Sequence, residues 1–259
     1  MLLVADIGNT STTLGVFEGE KLLESWRVAS DKNKSEDEYG IFLKNIVAHK
    51  GFSGKIRHAI ISSVVLSLTE RFKIAIEGYL SVPVIVLSHK INTGIQLDVD
   101  NPKEVGGDRI ANACAAYSLY QTPAVVVDFG TATTFDVVSN DGRFLGGIIS
   151  PGIGISAEAL SSFTSLLPKL KIVSSGSVIG KNTVDNMLSG VVRGHSAMVE
   201  GLVSAIEKEL DSRVTLIATG GFSKVLSECL NRQFDYVNPN LTLEGLRIIH
   251  SLNQNQVLK

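Results

Sequence analysis

Val4-Ala5-Asp6-Ile7-Gly8-Asn9-Thr10-Ser11-Thr12-Thr13-Leu14-Gly15-Val16 has a near copy, Val127-Asp128-Phe129-Gly130-Thr131-Ala132-Thr133-Thr134-Phe135-Asp136-Val137-Val138, whose Asp-x-Gly lies 122 residues further on. Each stretch is an apolar run ending in Asp-x-Gly, a string of hydroxyl and amide residues, and a second apolar run. This reads as strand, tight turn, strand, with a carboxylate where the first strand ends. Such a turn offers N–H groups to a phosphate while the Asp deals with a cation. Two matched copies about half a chain apart predict a duplicated α/β lobe, and two such lobes can share one nucleotide.

Around the first copy, residues 2–8, 12–18 and 21–29 predict three strands of a short-looped meander. A helix follows over 35–50, opened by a capping box of Ser35 and Glu38, with Tyr39, Phe42, Leu43, Ile46 and Val47 on one face. Next come a strand at 58–64, a helix opened by a second capping box of Ser67 and Glu70, and a strand at 84–87. After a helix over about 108–120 the pattern restarts. Strands fall at 124–128, 133–139 and 143–149, the last two joined by Asn140-Asp141-Gly142. A helix at 153–163, a loop over 164–181, one long helix over about 183–210, a strand at 214–218 and helices from Phe222 and over 242–252 complete the chain. The order βββ-α-β-α thus appears twice. Pro123 cannot continue a helix, so the lobes are divided as 1–122 and 123–259.

The 259 residues suffice for two such lobes, and 44% of them are hydrophobic. A formal charge of −2 gives no basic excess to draw nucleic acid. Apolar runs break well short of the ~20 residues that a membrane span needs. The opening Met1-Leu2-Leu3-Val4-Ala5-Asp6 reads as a strand and not as a signal peptide. Cys114 and Cys229 are expected to be buried free thiols, and five scattered His residues make no zinc pattern. A soluble cytoplasmic protein without nucleic-acid or membrane partners is the expectation.

The chemistry sits in four places. In the hairpins, Gly8 and Gly130 are expected to turn with φ > 0 and let a phosphate approach. Asn9, Thr10, Ser11, Thr12 and Thr131 to Thr134 can donate to its oxygens, and Asp6 can hold Mg²⁺ through water. Taken singly, each hairpin could equally be an ordinary turn stabilised by its Asp. In Asn101-Pro102-Lys103-Glu104-Val105-Gly106-Gly107-Asp108-Arg109, Asp108 and Arg109 open a helix whose start favours an ionised carboxylate. Asp108 is then a candidate general base and Arg109 a carboxylate clamp, or else Asp108 is a helix cap and Arg109 a solvated side chain. In Thr219-Gly220-Gly221-Phe222, paired glycines after a strand permit flat packing of a purine, or else make a simple strand–helix turn. Gly176-Ser177-Val178-Ile179-Gly180-Lys181-Asn182 misses the Walker pattern in glycine spacing and in the residue after Lys181.

Together these blocks resemble the type III pantothenate kinases, of the acetate kinase/Hsp70/actin-like superfamily, over nearly the whole chain. The resemblance is carried by Asp6-Ile7-Gly8-Asn9-Thr10, Asn101-Pro102-x-Glu104-Val105-Gly106-x-Asp108-Arg109 and Asp128-Phe129-Gly130-Thr131-Ala132-Thr133. It continues through Gly146-Gly147-Ile148-Ile149-Ser150-Pro151-Gly152, Gly180-Lys181-Asn182-Thr183 and Thr219-Gly220-Gly221. It implies two ribonuclease H-like (actin-like ATPase) lobes, each a mixed sheet flanked by helices, and ATP-dependent phosphorylation of pantothenate, the first step towards coenzyme A.

The resemblance also implies roles. Asp108 is the base, and Gly106, Gly107, Asp108 and Arg109 contact pantothenate. Asp6, Ile7, Gly8, Asn9, Thr10, Ser11, Thr12, Thr13 and Thr131 hold ATP, and Asp128 binds a monovalent cation, K⁺ or NH₄⁺. Thr183 reaches the substrate across a homodimer interface. Val99 stands where many members carry an aromatic residue, and Gly107 where Ala is common. Two rivals are a non-catalytic regulatory protein on the same fold, such as the transcription-linked factors described among relatives, and a sugar or acetate kinase of the superfamily.

Overall fold

The computed structural model describes residues 1–174 and 176–257. In chain order the elements are β1 (Leu2–Ile7), β2 (Ser11–Glu18), β3 (Lys21–Ala29), α1 (Glu36–His49), β4 (His58–Ser63), α2 (Leu66–Leu80), β5 (Val84–Val86), β6 (Gln96–Leu97) and α3 (Gly107–Leu119). They continue with β7 (Ala124–Phe129), β8 (Ala132–Val138), β9 (Arg143–Pro151), α4 (Ile153–Ser162), α5 (Thr183–Leu188), α6 (Gly194–Leu210), β10 (Thr215–Thr219), α7 (Ser223–Ser227), β11 (Tyr236–Val237) and α8 (Leu241–Val257).

Two compact units result: Met1–Ala115 with Leu241–Lys259, and Ala116–Asn240. The sequence reading cuts the chain once, at Pro123; the compact units divide it twice. The reason is the apolar stripe of α8. Leu243, Leu246 and Ile249 are buried in one cluster with Leu2, Val4, Phe17 and Ile60 from β1, β2 and β4. Burial of such side chains contributes roughly 1.5–3 kcal/mol each, which ties the last helix to the first unit.

In the first unit the strand order is β3-β2-β1-β4-β5. β1 runs antiparallel to β2 and parallel to β4. Its two faces are buried in different clusters. Leu3, Ala5 and Ile7 meet Leu43, Leu68 and Phe72 of α1 and α2. Leu2 and Val4 meet Ile110 of α3 and the α8 stripe. A strand covered on both sides needs an almost unbroken apolar run, which 2–7 supplies.

The second unit repeats the arrangement as β9-β8-β7-β10-β11. β7 is antiparallel to β8 and parallel to β10. Even the irregularity is copied: the register shifts between Val16 and Phe17 in the first sheet and between Val137 and Val138 in the second. The predicted duplication of βββ-α-β-α lobes is thereby observed in topology and register.

Local signals fared unevenly. The Ser35–Glu38 box forms both bonds, Glu38 N to Ser35 Oγ at 3.3 Å and Ser35 N to Glu38 Oε2 at 2.9 Å. The Ser67–Glu70 box does not form. α2 starts at Leu66, so Ser67 is already inside the first turn, and its cap residue Val65 donates instead to Ser63 Oγ at 3.0 Å. The single helix expected over 183–210 is broken by a π-helical segment, Ser189–Arg193. Cys114 is buried as expected, whereas Cys229 is only half-buried. Among the described residues no helix is long and apolar enough to cross a membrane.

Candidate active site

In the first unit the β1–β2 turn is closed by Gly8 N donating to Ser11 O at 3.1 Å. Neither Gly8 nor Gly130 takes a left-handed φ, contrary to expectation. Space, not handedness, demands glycine at 8: a Cβ there would lie 3.0 Å from Ser11 O. Asn9 and Thr10 are exposed at the tip, Ile7 is buried, and Asp6, Gly8, Ser11 and Thr13 are half-buried. Asp6 pairs with Thr13 across the hairpin. Two of the predicted ATP contacts have their hydroxyls engaged within the protein. Thr12 Oγ1 lies 2.9 Å from Ser30 Oγ, and Ser11 Oγ accepts from Arg27 Nε at 3.0 Å.

The Asn-Pro block delivers Asp108 to the same region. Asn101 Nδ2 donates to Glu104 Oε1 at 2.6 Å, closing a short 3₁₀ turn over Pro102–Glu104. The chain then passes Gly106 and enters α3. Asp108 lies within the first turn, one residue past the start, and its Oδ1 accepts from Arg109 N at 2.8 Å. A Cβ on Gly106 would meet that oxygen at 2.5 Å. Burial raises the pKa of Asp108 above 3.8; the Arg109 N–H and guanidinium pull it down but do not prevail. The expected anion-favouring helix start is therefore present and outweighed by desolvation.

One residue of this corner was not singled out in the sequence. Ser62, near the end of β4, is the strand partner of Asp6 and lies 2.9 Å from where a Cβ on Gly107 would stand. It is fully buried, and its hydroxyl has no hydrogen-bond partner among the described residues. Asp6, Ser62 and the Gly106–Asp108 corner are thus neighbours through strand pairing and direct contact. Only an isolated serine at a strand end could have announced this, and that carries no pattern.

In the second unit, Asp128 pairs with Thr134 across the β7–β8 hairpin and with Thr219 of β10. Gly220 follows with φ +86, and a Cβ on it would collide with Asp128 Oδ1. Gly152, which caps α4, approaches the Thr131 carbonyl so closely that a Cβ would clash there too. Asp128, Thr131 and the glycine turns of Gly152 and Gly220 are brought together within this unit. Beside them Phe222 borders a cavity of about 460 Å³ lined also by Gly154, Ala157, Glu158, Leu170 and Ile172. Thr183 is exposed at the start of α5, where Asn182 caps the helix by accepting from Asp185 N at 2.9 Å.

A divalent cation at a nucleotide site is held by one or two carboxylates together with phosphates and waters. Asp6, half-buried at the end of β1 next to the Gly8–Ser11 turn, fits that role. Among the described residues no group of three or more His, Cys, Asp or Glu side chains is placed to hold a metal.

Duplicated lobes of this topology, each with a hydroxyl-rich Asp-x-Gly hairpin, define the class: phosphotransferases and ATPases of the actin-like fold. The ADPNP-bound activator of 2-hydroxyisocaproyl-CoA dehydratase from Clostridium difficile shares the fold, with TM-score 0.58 at 12% identity over 100% of this chain and 97% of that one. So does a Campylobacter jejuni protein described as a Baf family transcriptional activator, with TM-score 0.62 at 23% identity over 98% and 99%. The family model for type III pantothenate kinase matches residues 2–205. A type III pantothenate kinase from Bacillus cytotoxicus is 43% identical over 98% of this chain and 97% of its own length. The chain belongs to the type III pantothenate kinase family, whose reaction is ATP-dependent phosphorylation of pantothenate on the route to coenzyme A.

Proposed function

We propose that Asp108 is the general base of this reaction. Its carboxylate takes the proton of the pantothenate hydroxyl. As that oxygen bonds to the γ-phosphorus of ATP, the P–O bond to the departing ADP breaks. The observation that carries this reading is the buried carboxylate at the first turn of α3, fixed by the Arg109 N–H and raised in proton affinity by desolvation. A base more avid for protons than a free Asp suits an alcohol acceptor.

Around it, Gly106, Gly107 and Arg109 contact pantothenate, the guanidinium pairing with its carboxylate. The Asp6–Thr13 hairpin and Thr131 hold the phosphates, with Asp6 on the water shell of Mg²⁺. Asp128 binds the monovalent cation, K⁺ or NH₄⁺, which offsets phosphate charge. The cavity bordered by Phe222 takes the base. The enzyme works in the cytoplasm as a homodimer, with Thr183 of one protomer reaching its partner's pantothenate. Exposed apolar side chains close to Thr183 in the chain, with Ile179 81% and Val178 69% accessible, support that last role. A coupled assay of ADP release, run with and without pantothenate, tests the reading: release must depend on pantothenate. Nucleotide binding without pantothenate-dependent release would favour a regulatory protein instead.

A further inference from the structure

Thr133, expected from the sequence to offer its hydroxyl to a phosphate, instead buries it against His195. Thr133 alternates along β8 with Phe135 and Val137, and all three side chains enter the second unit's core side of the sheet. Its Oγ1 is fully buried and lies 2.9 Å from Nε2 of His195 in the first turn of α6. His195 is 7% exposed, and its ring centroid lies 6.2 Å from that of Phe129. The surroundings of the pair are apolar: Phe129, Ile153, Val191, Val192 and Val199 belong to the same cluster. Burial holds the imidazole pKa low, so the ring is neutral. Either tautomer keeps the bond, Nε2–H donating to Oγ1 or bare Nε2 accepting the threonine proton.

Folding alone does not call for this arrangement. Two mutually bonded polar groups in an apolar cluster can be exchanged for two apolar groups of similar shape at little net cost. What the bond supplies is direction. Thr133 is the strand partner of Phe129, the residue after Asp128, and it lies two residues from Thr131. Immediately before α6, the π-helical segment Ser189–Arg193 widens the helix by part of a turn, which sets the face from which His195 projects. Such segments recur at functional sites.

We propose that His195 is a positioning residue for the nucleotide half of the site: by holding Thr133 it fixes the β7–β8 hairpin, and with it Asp128 and Thr131. Gly152 and Gly220 restrain the same hairpin by close backbone packing, and the His195–Thr133 bond restrains it from the core side. The inference rests on the reading of Asp128 and Thr131 as the cation and phosphate contacts.

The test is calorimetric binding of Mg–ADP, with and without potassium chloride, to full-length Thr133→Val, His195→Leu, His195→Gln and Asp128→Ala, beside thermal unfolding and the KM for pantothenate. Thr133→Val is isosteric, and thermal unfolding checks that it folds. It and His195→Leu should each weaken Mg–ADP in potassium by about tenfold, the scale of partners that hold metal ligands in place. The double variant should be no weaker than either single, because both remove one bond. His195→Gln should recover most of the affinity, and the pantothenate KM should stay within about twofold, well inside the tenfold shift expected for Mg–ADP. Unchanged nucleotide affinity in Thr133→Val, or additive losses, would overturn the proposal. Asp128→Ala separates the two levels. If it weakens binding while Thr133→Val does not, only the role of His195 fails; if it has no effect, the role given to Asp128 fails first.

Discussion

Gly220 stands so close to Asp128 that a Cβ on the glycine would strike the aspartate's Oδ1, and its φ of +86 disfavours any side chain. The turn after β10 therefore fixes where the Asp128 carboxylate can sit. Gly220→Ala should cost about 1–3 kcal/mol from backbone strain alone. It should also displace the carboxylate. A lowered melting temperature together with a weakened response to added potassium is the expected result, read from thermal unfolding and a potassium titration of the rate.

Gly201 is the contrasting case. It lies within α6, a Cβ on it would meet nothing within 4 Å, and its φ is not left-handed. Gly201→Ala should stabilise the protein by roughly 0.4–1 kcal/mol, because it reduces the freedom of the unfolded chain and favours helix. Chemical denaturation should move to higher midpoint with kcat unchanged.

Asp128→Ala removes the carboxylate assigned to the monovalent cation. Rate against potassium concentration should become flat, at a level no higher than that of the wild-type enzyme without potassium. A retained potassium activation curve would take the role away from Asp128.

Asp108→Asn keeps shape and loses proton affinity. Positioned proton transfer contributes about 10²–10⁴-fold, so turnover should fall by at least about a hundredfold while ADP still binds. In the wild-type enzyme the base must be ionised. Its pKa is raised by burial, so the acidic limb of kcat/KM should bend at a pH above 3.8. A near-normal rate in the variant would exclude Asp108 as the base.

His250 on α8 is 3% exposed and stacks obliquely on His58 of β4, with ring centroids 5.3 Å apart. Burial, and the charge of His58, push its pKa from 6.5 down to about 4. Between those values the unfolded chain binds a proton that the folded chain refuses. Stability should be full above about pH 6.5 and decline as the pH falls towards 4, with uptake of up to one proton on unfolding. His250→Phe should flatten that part of the stability–pH curve, measured by denaturation at a series of pH values.

The duplicated hairpins were legible because alternating and continuous apolar runs, punctuated by Asp-x-Gly, are local patterns. The Ser35–Glu38 cap was legible for the same reason, since its two partners are three residues apart. The Ser67–Glu70 pair has the same spacing and failed, because β4 and α2 meet at Val65 and leave Ser67 inside the helix. Ser62 and His195 gave no signal. The meaning of Ser62 comes from Gly107, and that of His195 from Thr133, 62 residues away.

From the order of its residues alone this chain read as a twice-repeated α/β fold, because strand periodicity and turn residues are properties of neighbours in sequence; its kinase chemistry came from the resemblance of its motifs to a known family. Tertiary structure alone decided that α8 returns to the first unit, that Gly8 serves by lacking bulk, and that burial makes Asp108 bind its proton more tightly than a free carboxylate. Those outcomes depend on distances between remote residues and on the exclusion of water, and neither exists until the chain has folded.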